Sequence, residues 1–390
     1  MPRAVPVVEN AAAMAILDLM LIGGFFVSEA EIARLREEIA DVDREIVANV
    51  AKRLHLAEQL GVEKKLEGRP IVAVDTEDRV FTRLLTEGAT RGISLAFAEG
   101  LARLLIDESV RVQDLVRLPP SAKRRILVVG GAGSMGRWLS RYFRSRGYEV
   151  IVHDIAGAVE DYPFEPDLGK GVRAADVVAV AVPMTVCAEV LERIAAVQPS
   201  ALLFDVASLK APIEKQLRSM GAAGLRIASI HPVFGPNLWP LSSGNITFSD
   251  CGNSVAVLEV KELFRPSGAS FVDVSLDHHD ELMAFLLSLS HLCLLTFARC
   301  VAQSPFDLAG LRRSAGTTFS RLSLAASGLL ADQPALLRDI QALNPHTPFV
   351  HRRIRDVLDD WKRATESDDG TEFYRLLETA RTYFGEGKPL

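Results

Sequence analysis

The chain has 390 residues, enough for two or three domains of about 150 each, which excludes a single small binding module. Hydrophobic residues at 48% and charged ones at 24% are the balance of a folded protein with a sizeable core. Its 44 Lys and Arg against 50 Asp and Glu leave a net charge of −6, which excludes a general nucleic-acid surface and makes any anion site local. Cys187, Cys251, Cys293 and Cys300 lack CxxC spacing, so reduced thiols in a cytoplasmic protein are expected, not disulfides or a metal site.

From the start of the chain, residues 1–28 read as an extension. Ala11 to Val27 is apolar except for Asp18, without the basic start of a secretory signal and short for a membrane span, so no membrane is expected as a partner. From Glu31 to Leu60 apolar residues recur three or four apart, which predicts a long amphipathic helix. Helical patterns follow at about Glu77–Glu87 and Ser94–Leu115, with Gly88 and Gly92 as punctuation, and Leu118-Pro119-Pro120-Ser121-Ala122-Lys123 reads as a linker. The apolar runs Ile126–Val129, Val150–Val152, Val177–Val182, Ala201–Phe204 and Ile227–Ile230 then alternate with helical stretches, the pattern of a parallel sheet covered on both faces. Ser254–Leu258 and Ser270–Val274 are candidate edge strands. Beyond Ser275 long helical patterns occupy Asp277–Gln303, Phe306–Leu330, Pro334–Ala342, Phe349–Ala364 and Thr371–Phe384.

Arg53 and Lys64 fall inside the apolar arc of the first helix, eleven residues apart and pointing nearly the same way. Buried cations need carboxylates or an anionic ligand, whereas long side chains that snorkel to water need neither. Arg36 sits at the edge of that stripe, better placed to serve a neighbouring pocket. Ser109 and Gln113, four apart, flank the stripe of the third helix and either line a cleft or face water. Taken with Leu35-Arg36, Gly68-Arg69-Pro70, Glu77 and Asp107-Glu108-Ser109-Val110, these residues make the segment 29–117 resemble an all-helical chorismate mutase. That resemblance implies a pericyclic rearrangement of a dicarboxylate, with catalysis by positioning and electrostatics. It further implies that Arg53, Ser109 and an Arg36 from a second subunit hold the carboxylates, that Lys64 and Gln113 face the ether oxygen, and that Glu77 takes the ring hydroxyl. Ala73 and Thr76 depart from the family, which usually has Asp and Arg there.

Gly131-Ala132-Gly133-Ser134-Met135-Gly136 follows one predicted strand and opens a helix, and Asp154 closes the next strand eighteen residues after Gly136. This is a dinucleotide fingerprint: glycines for the turn and close approach, amides at Ser134 and Met135 for phosphates, and an acid for ribose hydroxyls. No basic residue follows Asp154 before Lys170, so NAD is favoured over NADP.

The strand Ile227–Ile230 ends in His231-Pro232, which sets a histidine at a carboxyl end of the sheet, with Ser208 and Lys210 ending another strand. Together with DVASLK, HPVFGP, HDELMAF and TFSRLSL, the chain from about Arg124 resembles prephenate dehydrogenase, and its domain order resembles the bifunctional chorismate mutase–prephenate dehydrogenases. The resemblance implies oxidative decarboxylation of prephenate with NAD, His231 accepting the hydroxyl proton, and Arg321 holding a carboxylate. It gives Ser208 the orientation of His231 or the nicotinamide, with Lys210 assisting. His279 and His291 either line the substrate pocket or pack between helices. The expected architecture is an all-α mutase domain (29–117), a linker (118–123), a Rossmann-like α/β NAD-binding domain (124–274) and an all-α dimerisation and substrate domain (275–390). A cytoplasmic homodimer without metal is expected; arogenate in place of prephenate, or a non-catalytic helical module, are the alternatives left open.

Overall fold

The computed structural model describes residues 29–67, 74–116, 124–236 and 244–385. The apolar stretch Ala11–Val27, Gly68-Arg69-Pro70, Ala73 and the linker Leu118–Lys123 lie outside them, as do the side chains of Thr76 and Glu77.

Helix α1 (Glu29–Leu66) has Glu29 and Glu31 in its first turn and Lys64 and Lys65 in its last, each matched to the helix dipole. Its C-terminal half buries Ala57 and Gly61 against α3 (Leu95–Leu115), which also packs on α2 (Val74–Thr90). Its N-terminal half leaves Ile32, Leu35, Ile39, Val42 and Ile46 exposed, a stripe at helical spacing with nothing from this chain against it among the described residues. Gly88 does not break the chain as the sequence suggests; it is buried within α2, and the turn is made at Gly92, whose φ of +73° suits glycine. Ser94 then caps α3 by accepting from the Phe97 amide.

The second unit is one seven-stranded sheet. Its strands are β1 (Arg125–Val129), β2 (Glu149–His153), β3 (Val177–Val180), β4 (Leu202–Asp205), β5 (Ile227–Pro232), β6 (Asn245–Asp250) and β7 (Ser270–Asp273), in the order β2-β1-β3-β4-β5-β6-β7. Helix α4 (Ser134–Ser145) follows β1; α5 (Leu168–Ala174), α6 (Met184–Ala196) and α7 (Glu214–Ala222) connect the following strands. The order reverses at β1, which makes the carboxyl end of β1 the crevice where open α/β sheets bind ligands.

Two expectations need correcting. Ser254–Leu258 is not a strand but the start of α8 (Ser254–Phe264), because Asn253 Oδ1 caps the Ala256 amide and Ala256, Val257, Val260, Leu263 and Phe264 fall on one helical face. The strand that joins the sheet is β6, and it pairs antiparallel to β5, so the sheet is mixed, not parallel throughout. Thr247 and Ser249 alternate there with Ile246 and Phe248, yet all four are buried, which breaks the apolar run that marks the other strands.

Side chains pack both faces of the sheet. On one, Trp138 and Tyr142 of α4 stack at 5.5 Å, and Tyr142 stacks on Phe264 of α8 at 5.2 Å. Each such fully buried ring contributes about 2–3 kcal/mol.

The C-terminal helices are α9 (Leu276–Met283), α10 (Ser290–Ala302), α11 (Leu308–Arg313), α12 (Thr317–Leu330), α13 (Pro334–Leu343), α14 (Thr347–Glu366) and α15 (Thr371–Gly385). The pattern Phe306–Leu330 is therefore two helices, broken at Ser314-Ala315-Gly316. Between α9 and α10 the chain widens into a π turn, Ala284–Leu289. Gln341 donates to the Ser288 carbonyl at 3.0 Å and Thr347 bonds the Ser288 hydroxyl at 2.8 Å, so α13 and α14 hold that turn in place.

Gly61 sets how closely α1 approaches α3: a Cβ there would lie 2.7 Å from Gln113 Cα and 2.9 Å from its carbonyl oxygen. Gly61→Val should therefore lower the stability of the helical unit by about 1–3 kcal/mol. Urea unfolding followed by circular dichroism checks this, and an unchanged first transition would contradict the packing.

Candidate active sites

In the helical unit Arg53 reaches across from α1 to α3, where its guanidinium Nη1 donates to the Leu105 carbonyl at 2.6 Å and to the Ser109 hydroxyl. One turn further along α3, Gln113 Nε2 donates to the Ser109 carbonyl at 3.1 Å, while Gln113 Oε1 is buried with no hydrogen-bond partner among the described residues. Burial lowers the Arg53 pKa, and the charge of Arg83 on α2 lowers it further. A partly buried cation with a second cation near enough to oppose its charge favours an anionic ligand beside it. Arg83 was not singled out from sequence, since one Arg on an exposed helical face gives no signal. Lys64 lies eleven residues on from Arg53 and is half-buried. Glu77 belongs to the first turn of α2.

Arg36 is not brought to this cluster within one chain. It is exposed, and seventeen residues of helix separate it from Arg53, about 25 Å along the axis. No single pocket of ordinary size reaches both.

At the sheet, the glycine loop has the form a dinucleotide requires. Gly136 packs so tightly on β1 that a Cβ would lie 2.1 Å from the Gly130 carbonyl, and one on Gly131 would lie 2.2 Å from Val152. Gly133 caps α4 without a side-chain hydrogen bond, so the first-turn amides, including those of Ser134 and Met135, face out for phosphate oxygens. Asp154 accepts from the Ala132 amide at 2.8 Å and the Ala156 amide at 2.9 Å, which fixes its carboxylate beside the loop. Each oxygen keeps a second lone pair for a ribose hydroxyl. These residues fit NAD.

Farther along the same edge, His231 of β5 is buried, with Nδ1 3.3 Å from His279 Nε2 on α9. His279 Nδ1 is in turn 2.8 Å from Asp280 Oδ1. Burial would push the Asp280 carboxyl up, but hydrogen bonds from His279 and from the Lys210 and Ala211 amides outweigh it and hold the group below its ordinary value. An ionised Asp280 only accepts, so His279 Nδ1 carries the proton and its Nε2 is a bare lone pair. His231 Nδ1 must then donate. The remaining nitrogen, His231 Nε2, is left unprotonated, the form a general base needs. Burial, then His279, then Lys210 drive the His231 pKa well below 6.5, and burial likewise lowers His279, with Asp280 opposing.

The sequence marked His231 and, with an alternative, His279; it did not mark Asp280, whose adjacency to His279 looks like any helical acid. Four other residues stand differently from their sequence reading. Lys210 is fully buried, and its ammonium donates to Asp205 Oδ1 at 2.9 Å and to the carbonyls of Ala207 and Ile230 at 2.8 Å each. All three protons are used, so it is not placed to hold a substrate carboxylate. His291, past the π turn on α10, is half-buried with Nδ1 lacking a partner among the described residues, and its pKa is lowered by burial and raised by Asp332, not by His231 or His279. Ser208 is half-buried on the loop after β4 and makes no hydrogen bond to His231 among the described residues, while Arg321 on α12 is exposed. Nitrogen NMR of the His231 ring should show Nδ1 protonated and Nε2 bare at neutral pH, and Asp280→Asn should disturb that assignment; a protonated Nε2 in the parent would overturn the chain of hydrogen bonds.

Comparison with known proteins agrees with both halves. Residues 35–114 match the family description "Chorismate mutase type II", and residues 157–246 match "Prephenate dehydrogenase, nucleotide-binding domain". The chain is 28% identical over 357 residues to the T-protein of Haemophilus influenzae, covering 90% of this chain and 92% of that one. It is 30% identical over 277 residues to 4-amino-4-deoxyprephenate dehydrogenase of Streptomyces pristinaespiralis, covering 67% of this chain and 92% of that one. In fold it is similar to prephenate dehydrogenase from A. aeolicus, a structure in complex with hydroxyphenyl propionate and NAD+, with a TM-score of 0.55 at 17% identity over 68% of this chain and 98% of that one. With a type II chorismate mutase domain ahead of its nucleotide-binding sheet, the chain belongs to the prephenate dehydrogenase family.

Proposed function

We propose that this chain is a bifunctional enzyme of tyrosine biosynthesis that rearranges chorismate to prephenate in its helical unit and oxidises prephenate to 4-hydroxyphenylpyruvate at the sheet. The observation that carries this reading is that a mutase domain and a dehydrogenase domain, each with a site of matching chemistry, occupy one chain.

In the rearrangement no proton moves, so the residues act by position and charge. Arg53 and Ser109, already joined by a hydrogen bond, hold one carboxylate, and an Arg36 from a second copy holds the other. Lys64 and Gln113 stabilise the charge that grows on the ether oxygen, and Glu77 takes the ring hydroxyl. NAD supplies the hydride acceptor for the second reaction. His231 Nε2 takes the hydroxyl proton as the ring carbon is oxidised, and loss of carbon dioxide makes the ring aromatic. Arg321 guides a carboxylate, Ser208 orients His231 or the nicotinamide, and His279 holds His231.

The second copy has further support. The exposed stripe on α1 is one surface for it. The run Leu276–Ala302 is another: it is long and apolar enough to cross a membrane by length and composition, yet most of it is not buried within one chain. In a cytoplasmic homodimer those faces cover one another. Arg36→Ala should then lower mutase turnover by about 100-fold or more with dehydrogenase turnover kept; a monomer by light scattering that retains full mutase turnover would contradict the shared site.

One observation favours a second substrate: the 30%-identical relative is named for a 4-amino-4-deoxy compound, in which nitrogen replaces the ring hydroxyl. Comparing turnover on prephenate, arogenate and the amino compound decides between them. For the main reading, purified protein given chorismate and NAD should form NADH, a signal that requires both activities in order. Lys64→Ala should abolish that signal but keep NADH formation from prephenate; a parent inert towards chorismate would make the helical unit a non-catalytic module. Because a base works unprotonated and the His231 pKa lies well below 6.5, kcat/KM for prephenate should fall only as pH drops below that value. An acid limb above pH 6.5 would contradict His231 as the base.

A further inference from the structure

We infer that Lys210 is a positioning residue for the dehydrogenase, the buried tie that fixes His231 against the sheet and keeps a positive charge behind it. This inference rests on the reading of His231 as the base.

The geometry is specific. Lys210 leaves the loop after β4, and its ammonium, with no access to water, bridges three places. It donates to Asp205 Oδ1 at the end of β4, to Ala207 on the loop itself, and to Ile230, whose carbonyl precedes His231 on β5. The Lys210 amide also donates to Asp280 Oδ1 at 2.8 Å, the same oxygen that accepts from His279. One residue therefore touches both ends of the His231–His279–Asp280 chain: the backbone that carries the base and the carboxylate that sets its tautomer. A lysine held only for stability would not need this placement, since a buried ion pair often gains nothing over apolar residues of the same volume.

Its charge acts in the same direction. The groups facing His231 are His279 and Lys210, and those facing His279 are Asp280, Lys210 and Asp205. Lys210 opposes protonation of both imidazoles, so both stay neutral while substrate binds. Removing the cation lets His231 take a proton at higher pH, and removing its bond to Ile230 frees the strand end that aims Nε2.

The test is Lys210→Met in the full chain, assayed with prephenate and NAD across pH. Because Lys210→Met leaves Asp205 buried without its cation, the double variant Lys210→Met with Asp205→Asn is made alongside it as the neutral pair. For whichever folds, kcat should fall at least about tenfold while KM for prephenate stays within about threefold, as expected when a group is misplaced and no substrate contact is lost. The acid limb of kcat/KM should move to higher pH, and the His231 ring should titrate at higher pH in nitrogen NMR with no substrate present. Mutase turnover should match the parent. A rise in KM with kcat kept would make Lys210 a substrate cation, and a folded variant with the parent's kcat, acid limb and ring titration would overturn the proposal. The NMR titration separates this from a failure of the dehydrogenase reading, which would show as a parent inert towards prephenate.

Discussion

An ion pair sealed from water, Lys210 with Asp205, stands where the ends of β4 and β5 meet the start of α9. Removing one partner of such a pair costs about 3–5 kcal/mol, so the three elements are held in one arrangement. That arrangement decides where His231 points and, through Asp280, which of its nitrogens is bare. The glycine loop depends on a similar constraint a few strands away, where Gly136 lets α4 lie directly on the carbonyl of Gly130 and so aims the helix amides outward. Cofactor loop and base are then two features of the carboxyl edge of one sheet, each fixed by backbone contacts that tolerate little change.

The two proposed sites use charge in opposite ways. The helical unit gathers cations, with Arg53 bonded to Ser109 and its pKa lowered by burial and then by Arg83, as suits a dianion whose reaction moves no proton. The sheet site keeps its imidazoles neutral, as suits a reaction that needs a proton acceptor. A chain of net charge −6 can thus serve anionic substrates, because the cations that matter are placed singly.

Much of this was legible in the sequence where the signal is periodic or local. The helix of α1, the fingerprint from Gly131 to Asp154, and His231 at a strand end follow from spacing alone. What escaped was set by tertiary contacts. Strand β6 hides because Thr247 and Ser249 are buried polar residues inside it. Ser254–Leu258 looks like a strand until Asn253 is recognised as a cap. The sequence sets Lys210 at a strand end as an assisting cation, but nothing nearby shows that Ile230 and Asp280, twenty and seventy residues away, will meet it and seal it from substrate. Arg36 remains apart from Arg53 for a reason the sequence did contain, since both lie on one helix seventeen residues apart.

The central claim is that a neutral His231, held by this buried cluster, takes the substrate's proton at the cofactor edge. His231→Asn keeps size and a hydrogen-bonding group while removing the base. In the full chain supplied with chorismate and NAD, the account predicts that prephenate accumulates at the parent's rate, that NAD binding is unchanged, and that NADH formation falls by at least about 100-fold. NADH formation at the parent's rate would contradict it.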